Sequence, residues 1–273
     1  MRYTILGAEG FIGRALQARL QAEGHTILAP DKDQLEQDPG LGGRDLGHVL
    51  YCIGVTADFR SRVLDALEAH VCLLRRVLQA GVFVSLTYLS SARVYSYAAS
   101  SREDASLWLR PNSLDSLYNQ SKLLGESACL HGSDRARVVR LSHVYGVDPG
   151  SENFLSSVLQ EAALKGKVTI RTSYDSAKDY ISLQDVARLL PLIAARGELG
   201  IYNLATGENL SNQELAALLR REGIEVDFAR DAPRWSFPEI DVSKLGRDFY
   251  LPRQRLKHDL PWLLQGFGRN YAQ

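Results

Sequence analysis

Tyr118 and Lys122 are the residues of this 273-residue chain whose types and spacing most directly suggest chemistry. Four positions apart on a helical stretch, they put a phenol and an ammonium one turn apart on the same face. A free tyrosine titrates at about pH 10, too high for a base at neutral pH, and a nearby cation favours the phenolate. Many such pairs are only a solvated helix face. This one continues as Leu123-Leu124-Gly125-Glu126 and is preceded by an apolar strand ending in Leu89-Ser90-Ser91. The Ser91 hydroxyl can bond the same reacting oxygen as the phenol, the alternative being a cap on local backbone.

A second set of residues suggests what that phenol would work with. Gly7-Ala8-Glu9-Gly10-Phe11-Ile12-Gly13 follows one apolar strand and opens a helix. Glycines there permit a tight turn and a close approach of backbone to a pyrophosphate seated on the helix N-terminus. The spacing is G-x-x-G-x-x-G, not the better-known G-x-G-x-x-G, so a plain strand-to-helix turn is the competing reading. Asp31 closes the second strand about 20 residues on, where a carboxylate can bond the adenosine ribose hydroxyls and repel a 2′-phosphate. That favours NAD over NADP, moderated by Lys32 and Arg14; the alternative for Asp31 is a turn residue beside Pro30. An oxidised nicotinamide would join Lys122 in favouring the phenolate. The candidate cofactor contacts are Gly7, Gly10, Phe11, Ile12, Gly13, Asp31, Cys52, Ile53, Gly54, Ser90, Leu141, Tyr118 and Lys122, and the catalytic set is Ser91, Tyr118 and Lys122.

These groups need a frame that brings strand ends together. Residues 3–6, 26–29, 49–53, 82–90 and 137–141 read as apolar strands. Helical spacing appears over 11–23, 62–80 and 115–130, with Gly24 and Gly81 as stops. Apolar runs alternating with helices predict a parallel sheet covered on both faces, a Rossmann-type doubly wound α/β fold. Residues 32–46, polar and rich in glycine, read as a loop. Beyond Gly146, Pro149 and Gly150 loosen the pattern before helices over 153–165, 183–195 and 211–221 and strands over 168–171 and 201–204. The tail, with Pro233, Pro238, Pro252 and Pro261, reads as irregular and draped over the first domain. The expected division is a cofactor domain of residues 1–147 and 182–206 and a smaller C-terminal α/β substrate domain of residues 148–181 and 207–273.

Composition narrows the class. Thirty-two basic residues balance 32 acidic ones, unlike the basic footprint of a nucleic-acid binder. Cys52, Cys72 and Cys129 are scattered, against a disulfide framework or zinc site and in keeping with a reducing, cytoplasmic compartment. The first residues enter a strand with no signal-peptide pattern, and no apolar run reaches the roughly 18 residues of a membrane span.

Taken in order, these blocks resemble the extended short-chain dehydrogenase/reductases, the NAD-dependent epimerase/dehydratase group. Ser90-Ser91-Ala92-Arg93-Val94-Tyr95 is similar to its S-S-x-x-V-Y segment, and Tyr118 to Glu126 to its catalytic helix. Arg140-Leu141-Ser142-His143-Val144-Tyr145-Gly146 is similar to its R-x-x-N-V-Y-G stretch. Lys178-Asp179-Tyr180-Ile181 with Asp185-Val186-Ala187 is similar to R-D-F-I-x-x-x-D-V-A, and Tyr202 to Glu208 to Y-N-x-x-x-G-E. The resemblance implies that Tyr118 removes a sugar hydroxyl proton as hydride leaves the same carbon for the nicotinamide. Lys122 would hold the ribose and tune the phenol, and Ser91 would orient the oxygen.

Departures from that pattern trim the chemistry. Ala92 and Arg93 stand where the sugar 4,6-dehydratases carry an acid–base pair, and Arg93 replaces the glutamate of the decarboxylases. Ala92 and Asp148 replace the cysteine and histidine of the 3,5-epimerising reductases. What remains is 4-epimerisation or 4-keto reduction of a nucleotide-sugar, with Ala92, Arg93, His143, Asn153, Lys178 and Arg234 as substrate contacts. Lys178 replaces an arginine that often meets phosphate and lacks its bidentate fork. His143 is a proton donor, a sugar partner or a satisfied core histidine. Arg60 and Arg62, after Gly54-Val55-Thr56, face an acidic ligand or simply open a helix. The apolar stripes of 62–80 and 117–130 suggest a homodimer contact, or packing on their own sheet. Two further readings stay open: a reductase of a non-nucleotide carbonyl, and a catalytically silent NAD(P)-binding regulator.

Overall fold

The computed structural model describes residues 1–55, 58–148, 150–235 and 237–269; Thr56 and Pro149 lie outside these. The chain opens with β1 (Arg2–Leu6), α1 (Phe11–Ala22), β2 (Thr26–Leu28), α2 (Lys32–Gln37) and β3 (His48–Tyr51). A long helix follows, α3 (Val63–Leu67) passing through one π-helical turn (Glu68–Cys72) into α4 (Leu73–Ala80). Then come β4 (Ser85–Ser91), α5 (Leu114–Gly132), β5 (Ala136–Leu141), β6 (His143–Tyr145), α6 (Phe154–Lys165), β7 (Lys167–Ile170) and β8 (Ala177–Ser182). The remainder is α7 (Leu183–Arg196), β9 (Gly200–Leu204), β10 (Asn209–Ser211), α8 (Asn212–Arg221), β11 (Glu225–Phe228), α9 (Ser243–Asp248) and α10 (Leu256–Arg269).

The main sheet runs β2-β1-β3-β4-β5-β9 and every pairing in it is parallel. Its strands are apolar runs because both faces are covered. Leu16 and Leu20 of α1 and Leu189, Leu190 and Ile193 of α7 pack on one face. Leu73, Leu74 and Val77 of α4 and Cys129 of α5 pack on the other. This is the doubly wound Rossmann-type arrangement expected. The chain order reverses between β1 and β3, and a ligand crevice forms at the carboxyl ends of strands flanking such a switch. The glycine turn leaves β1 at that point, and residues 52–54 leave β3 beside it.

The residues between and after these strands build a second layer. β6 pairs in parallel with β8, and β10 runs antiparallel to β8. β11 and β7 form a separate parallel pair. A distinct core joins α6, α8, α10 and these strands, with Leu155, Leu159, Leu215, Leu219, Leu260 and Phe267 among its buried residues.

Two sequence expectations are overturned. Residues 32–46 are not all loop: Asp31 and Gln34 close a reciprocal capping box and start α2. Nor is the tail all irregular, and only its first part drapes over the first domain. Its α9 seats Leu245 on the main sheet's core, whereas α10 packs on α6 and α8 in the second layer. Leu256, Leu260, Leu263 and Phe267 repeat at helical spacing, and this apolar face outweighs the one proline inside α10. Strands β6, β8, β10 and β11 were not anticipated.

Candidate active site

The glycine turn is shaped by close approach. Gly7 adopts φ +87°, and a Cβ there would stand 3.1 Å from the Cys52 carbonyl carbon and the Ile53 nitrogen. A Cβ at Gly13 would come 2.2 Å from the Gly7 oxygen, so α1 sits directly on the turn. Gly10 caps α1 without a side-chain bond, and the first turn carries no acidic residue, so its amides and dipole face the crevice. Phe11 lies against Gly146, and Ile12 packs toward the core. Cys52 extends from β3 through a bond of its amide to the Leu6 oxygen at 2.9 Å. A Cβ at Gly54 would meet the His70 Nε2 at 3.1 Å and the Lys122 Nζ at 3.4 Å. The backbone of 52–54 thus runs from the turn to Lys122, and these residues fit a dinucleotide laid along that line. Asp31, by contrast, serves α2: its Oδ1 accepts from the Gln34 amide at 2.8 Å.

Tyr118, Lys122 and Ser91 come together. Ser91 ends β4, and its hydroxyl lies near enough to the phenol of Tyr118, a residue 8% exposed, to favour the phenolate. Lys122 donates to the Leu89 carbonyl at 2.9 Å, and its Nζ lies 5.9 Å from the centre of the Tyr118 ring. Burial raises the Tyr118 phenol above its ordinary range, while the Ser91 hydroxyl and the Arg93 charge pull it back. Lys122 was expected to tune this phenol; here the neighbouring charge that acts on it is Arg93. Burial drives Lys122 itself down to about 7, against the pull of Glu126 and Cys52.

A buried polar network sets α5 against the sheet. Glu126, one turn beyond Lys122, accepts from Ser90 and from Arg140, the latter at 2.7 Å. Arg140 also donates to the Tyr95 hydroxyl at 2.7 Å, which donates to Asn203 at 2.8 Å. Four blocks singled out in the sequence are therefore one chain of bonds across β4, α5, β5 and β9. The Ser90 side chain, a candidate cofactor contact, is engaged in that network, and Leu141 is buried at the end of β5.

His70 and Phe59 were missed. His70 lies in the π turn, a feature that often marks functional sites. Its Nε2 accepts from the Val55 amide at 3.2 Å and its Nδ1 faces the Ser121 hydroxyl at 2.9 Å. Ser121 in turn donates to the Tyr118 carbonyl at 2.9 Å. Phe59 packs 5.1 Å from the Tyr118 ring. No spacing in the sequence marks either residue.

Of the expected substrate contacts, the Arg93 guanidinium lies 5.9 Å from the Tyr118 ring centre, its charge and that of Lys178 reach His143, and Ala92 is buried. The other two candidates have structural partners. Asn153 caps α6, accepting from the Ser156 amide at 2.9 Å and donating to Ser151 at 2.7 Å. Arg234 is 66% exposed and pairs with Asp175 at 2.8 Å, while its neighbour Trp235 reaches Arg93. Arg62 pairs with Asp58 and Asp65, as a solvated helix start would, and Arg60 stacks on Phe59. Among the described residues no cluster of potential metal ligands occurs, and no helix is long and apolar enough to cross a membrane.

Residues 3–205 match the NAD dependent epimerase/dehydratase family, and the chain belongs to it. It thus belongs among NAD(P)-dependent enzymes of the epimerase and dehydratase family. It is similar to dTDP-4-dehydrorhamnose reductase of Mycobacterium tuberculosis, 26% identical with 88% of this chain and 84% of the relative covered. It is also similar to methionine adenosyltransferase 2 subunit beta of Xenopus tropicalis, 24% identical over 89% and 81%. In fold it is similar to UDP-glucuronic acid 4-epimerase of Bacillus cereus, with TM-score 0.85, 17% identity and coverage of 99% and 100%.

Proposed function

We propose that this enzyme interconverts alcohol and ketone at C4 of a nucleotide-sugar, as a 4-epimerase or a 4-keto reductase. The observation that carries the reading is the meeting of Ser91 at the end of β4 with the buried Tyr118 phenol, with Lys122 one turn away on α5. NAD, when bound, supplies a two-electron acceptor or donor for the sugar carbon. In oxidation the Tyr118 phenolate takes the C4 hydroxyl proton as the C–H electron pair leaves as hydride; in reduction the phenol returns that proton to the ketone oxygen. Ser91 donates a hydrogen bond to the same oxygen throughout. Lys122 holds the ribose, and the Arg93 charge eases loss of the phenolic proton. The loop 52–54, the turn at Gly7, Gly10 and Gly13, and Asp31 hold the dinucleotide, with Asp31 favouring NAD over NADP.

The division into residues 1–147 with 182–206 and 148–181 with 207–273 assigns cofactor to the first part and sugar to the second. A homodimer through the helices over 62–80 and 117–130, working in the cytoplasm, completes the proposal. Leu64 and Leu124, both exposed on those helices, would meet the second copy. Retention of Ser91, Tyr118 and Lys122 close together weighs against a silent regulator. The test is a screen of UDP-, GDP- and dTDP-sugars with NAD and NADPH, alongside Tyr118→Phe. The variant is expected to bind NAD like the wild type and lose turnover by about 10²–10⁴-fold, the usual worth of a positioned acid–base group. Full activity in Tyr118→Phe would end the mechanism.

A further inference from the structure

A buried imidazole that the mechanism above does not use stands between the backbone at 54–55 and α5. His70 is 0% exposed and sits in the π-helical turn between α3 and α4. On one side its Nε2 accepts from the Val55 amide at 3.2 Å. A Cβ added at Gly54 would stand 3.1 Å from that nitrogen and 3.4 Å from the Lys122 Nζ. On the other side its Nδ1 meets the Ser121 hydroxyl at 2.9 Å, and Ser121 lies between Tyr118 and Lys122 on α5. The imidazole also stands edge-on to the Tyr118 ring, at 89° with centres 5.5 Å apart. Its chain neighbour Ala69 packs on the apolar cluster of Val55, Phe59, Ala66 and Tyr118.

The bonding allows one arrangement of protons. The Ser121 hydroxyl donates to the Tyr118 carbonyl at 2.9 Å, so toward the imidazole it can only accept. Nδ1 therefore carries the ring proton, and Nε2 keeps the lone pair that takes the Val55 N–H. Burial, and then the charge of Lys122, hold the ring in this neutral form. Two directed bonds thus tie the 54–55 backbone to the turn of α5 that carries Tyr118 and Lys122. Filling the same space with carbon alone would leave both elements free to slide.

We propose that His70 is a positioning residue for the C4 oxidoreduction, fixing the separation between the 54–55 backbone, along which the nicotinamide end of the dinucleotide lies, and the Tyr118 phenol. The hydride leaves the sugar carbon for the nicotinamide while the hydroxyl proton of that carbon passes to Tyr118. Both acceptors must therefore stand at a set spacing about one carbon atom. His70 acts only through Val55, Ser121 and the Tyr118 ring. This rests on the C4 oxidoreduction proposed above.

The test sets His70→Leu, which removes both bonds, against His70→Gln, whose amide offers one donor and one acceptor in their place. Each is assayed below its melting temperature with NAD and the UDP-, GDP- or dTDP-sugar turned over in the screen above. His70→Leu is expected to lose about 10–100-fold in kcat, the scale of a misplacement near 1 Å, with KM for the sugar little changed. His70→Gln should recover most of that loss. Ser121→Ala should lower kcat in the wild-type background and add nothing in His70→Leu, since both changes break one link. Without cofactor, nitrogen NMR of the imidazole should show a proton on Nδ1 and none on Nε2. An unchanged kcat in a less stable His70→Leu, no rescue by His70→Gln, or a proton on Nε2 would make the ring mere packing and overturn the inference. Where His70→Leu does not fold, Ser121→Ala decides, and an unchanged kcat there overturns it too. All of these outcomes leave the C4 chemistry standing. Turnover of no nucleotide-sugar by NAD-binding wild type would overturn the C4 reading and this role with it.

Discussion

Glu126 grips Arg140 at 2.7 Å with both side chains 3–4% exposed, and the same carboxylate holds Ser90. The pair fixes the rotation of α5 against β4 and β5, and Lys122 is one turn away on that helix. Glu126→Gln leaves the Arg140 charge buried without its counter-ion, which costs about 3–5 kcal/mol. Thermal or urea unfolding should show that loss. The double variant Glu126→Gln/Arg140→Met should lose less than the sum of the two single changes, since no orphaned charge remains.

Lys122 should make stability depend on pH in a defined window. Its folded pKa, about 7, lies below the 10.5 of a free lysine. Between those values the unfolded chain holds a proton that the folded chain lacks, so stability rises with pH across the window and is lowest below it. Lys122→Met removes that slope. Without cofactor, the variant should gain on wild type by on the order of a few kcal/mol more at pH 6 than at pH 10. Parallel pH profiles for the two proteins would contradict the burial of this ammonium.

His70 acts at the acid end. Burial, and then the charge of Lys122, push it down to about 2, so it is neutral while it accepts the Val55 amide bond. Its contribution is complete above about pH 6.5, its ordinary value, and is lost as pH falls toward 2. His70→Leu breaks two buried bonds and should cost about 1–3 kcal/mol at pH 7. It should also flatten the acid limb of the stability curve, which urea titrations from pH 7 to pH 4 would record.

Gly13 and Gly24 form a matched test of the cofactor turn. A Cβ at Gly13 would stand 2.2 Å from the Gly7 oxygen, whereas one at Gly24, at φ +75°, would meet nothing within 4 Å. Gly13→Ala should weaken NAD binding by about tenfold or more, because the turn that approaches the pyrophosphate must move. Gly24→Ala should cost a little stability through strained backbone and leave NAD affinity alone. Isothermal titration of both variants separates the two effects.

The legible parts of this protein carried local signals. β1, β3, β4 and β5 are apolar runs closed by glycine or serine, and Tyr118 and Lys122 announce each other by spacing. The segment over 32–37 hid because its helix signal is one cap pair in a polar stretch, too short to show a period. β6, β10 and β11 have three or four residues each and exist through partners distant in sequence. Prolines in the tail masked α10, whose apolar face was present in the spacing but unread. His70 and Phe59 could not be found at all. Their place against Tyr118 is set by how the helix over 63–80 lies on α5, not by neighbours in the chain.

Asp179 accepts from the Thr206, Gly207 and Glu208 amides at 2.7–3.1 Å, pinning the stretch after β9 to β8. The polypeptide thus shuttles between the two sheets, leaving the first at 141, returning through α7 and departing again beyond 204. The half proposed to hold the sugar is consequently not a detachable cassette. A chimaera that swaps specificity with a relative must exchange two separate stretches together with this aspartate's anchor. Selectivity should evolve here by single side-chain replacements more readily than by modular recombination.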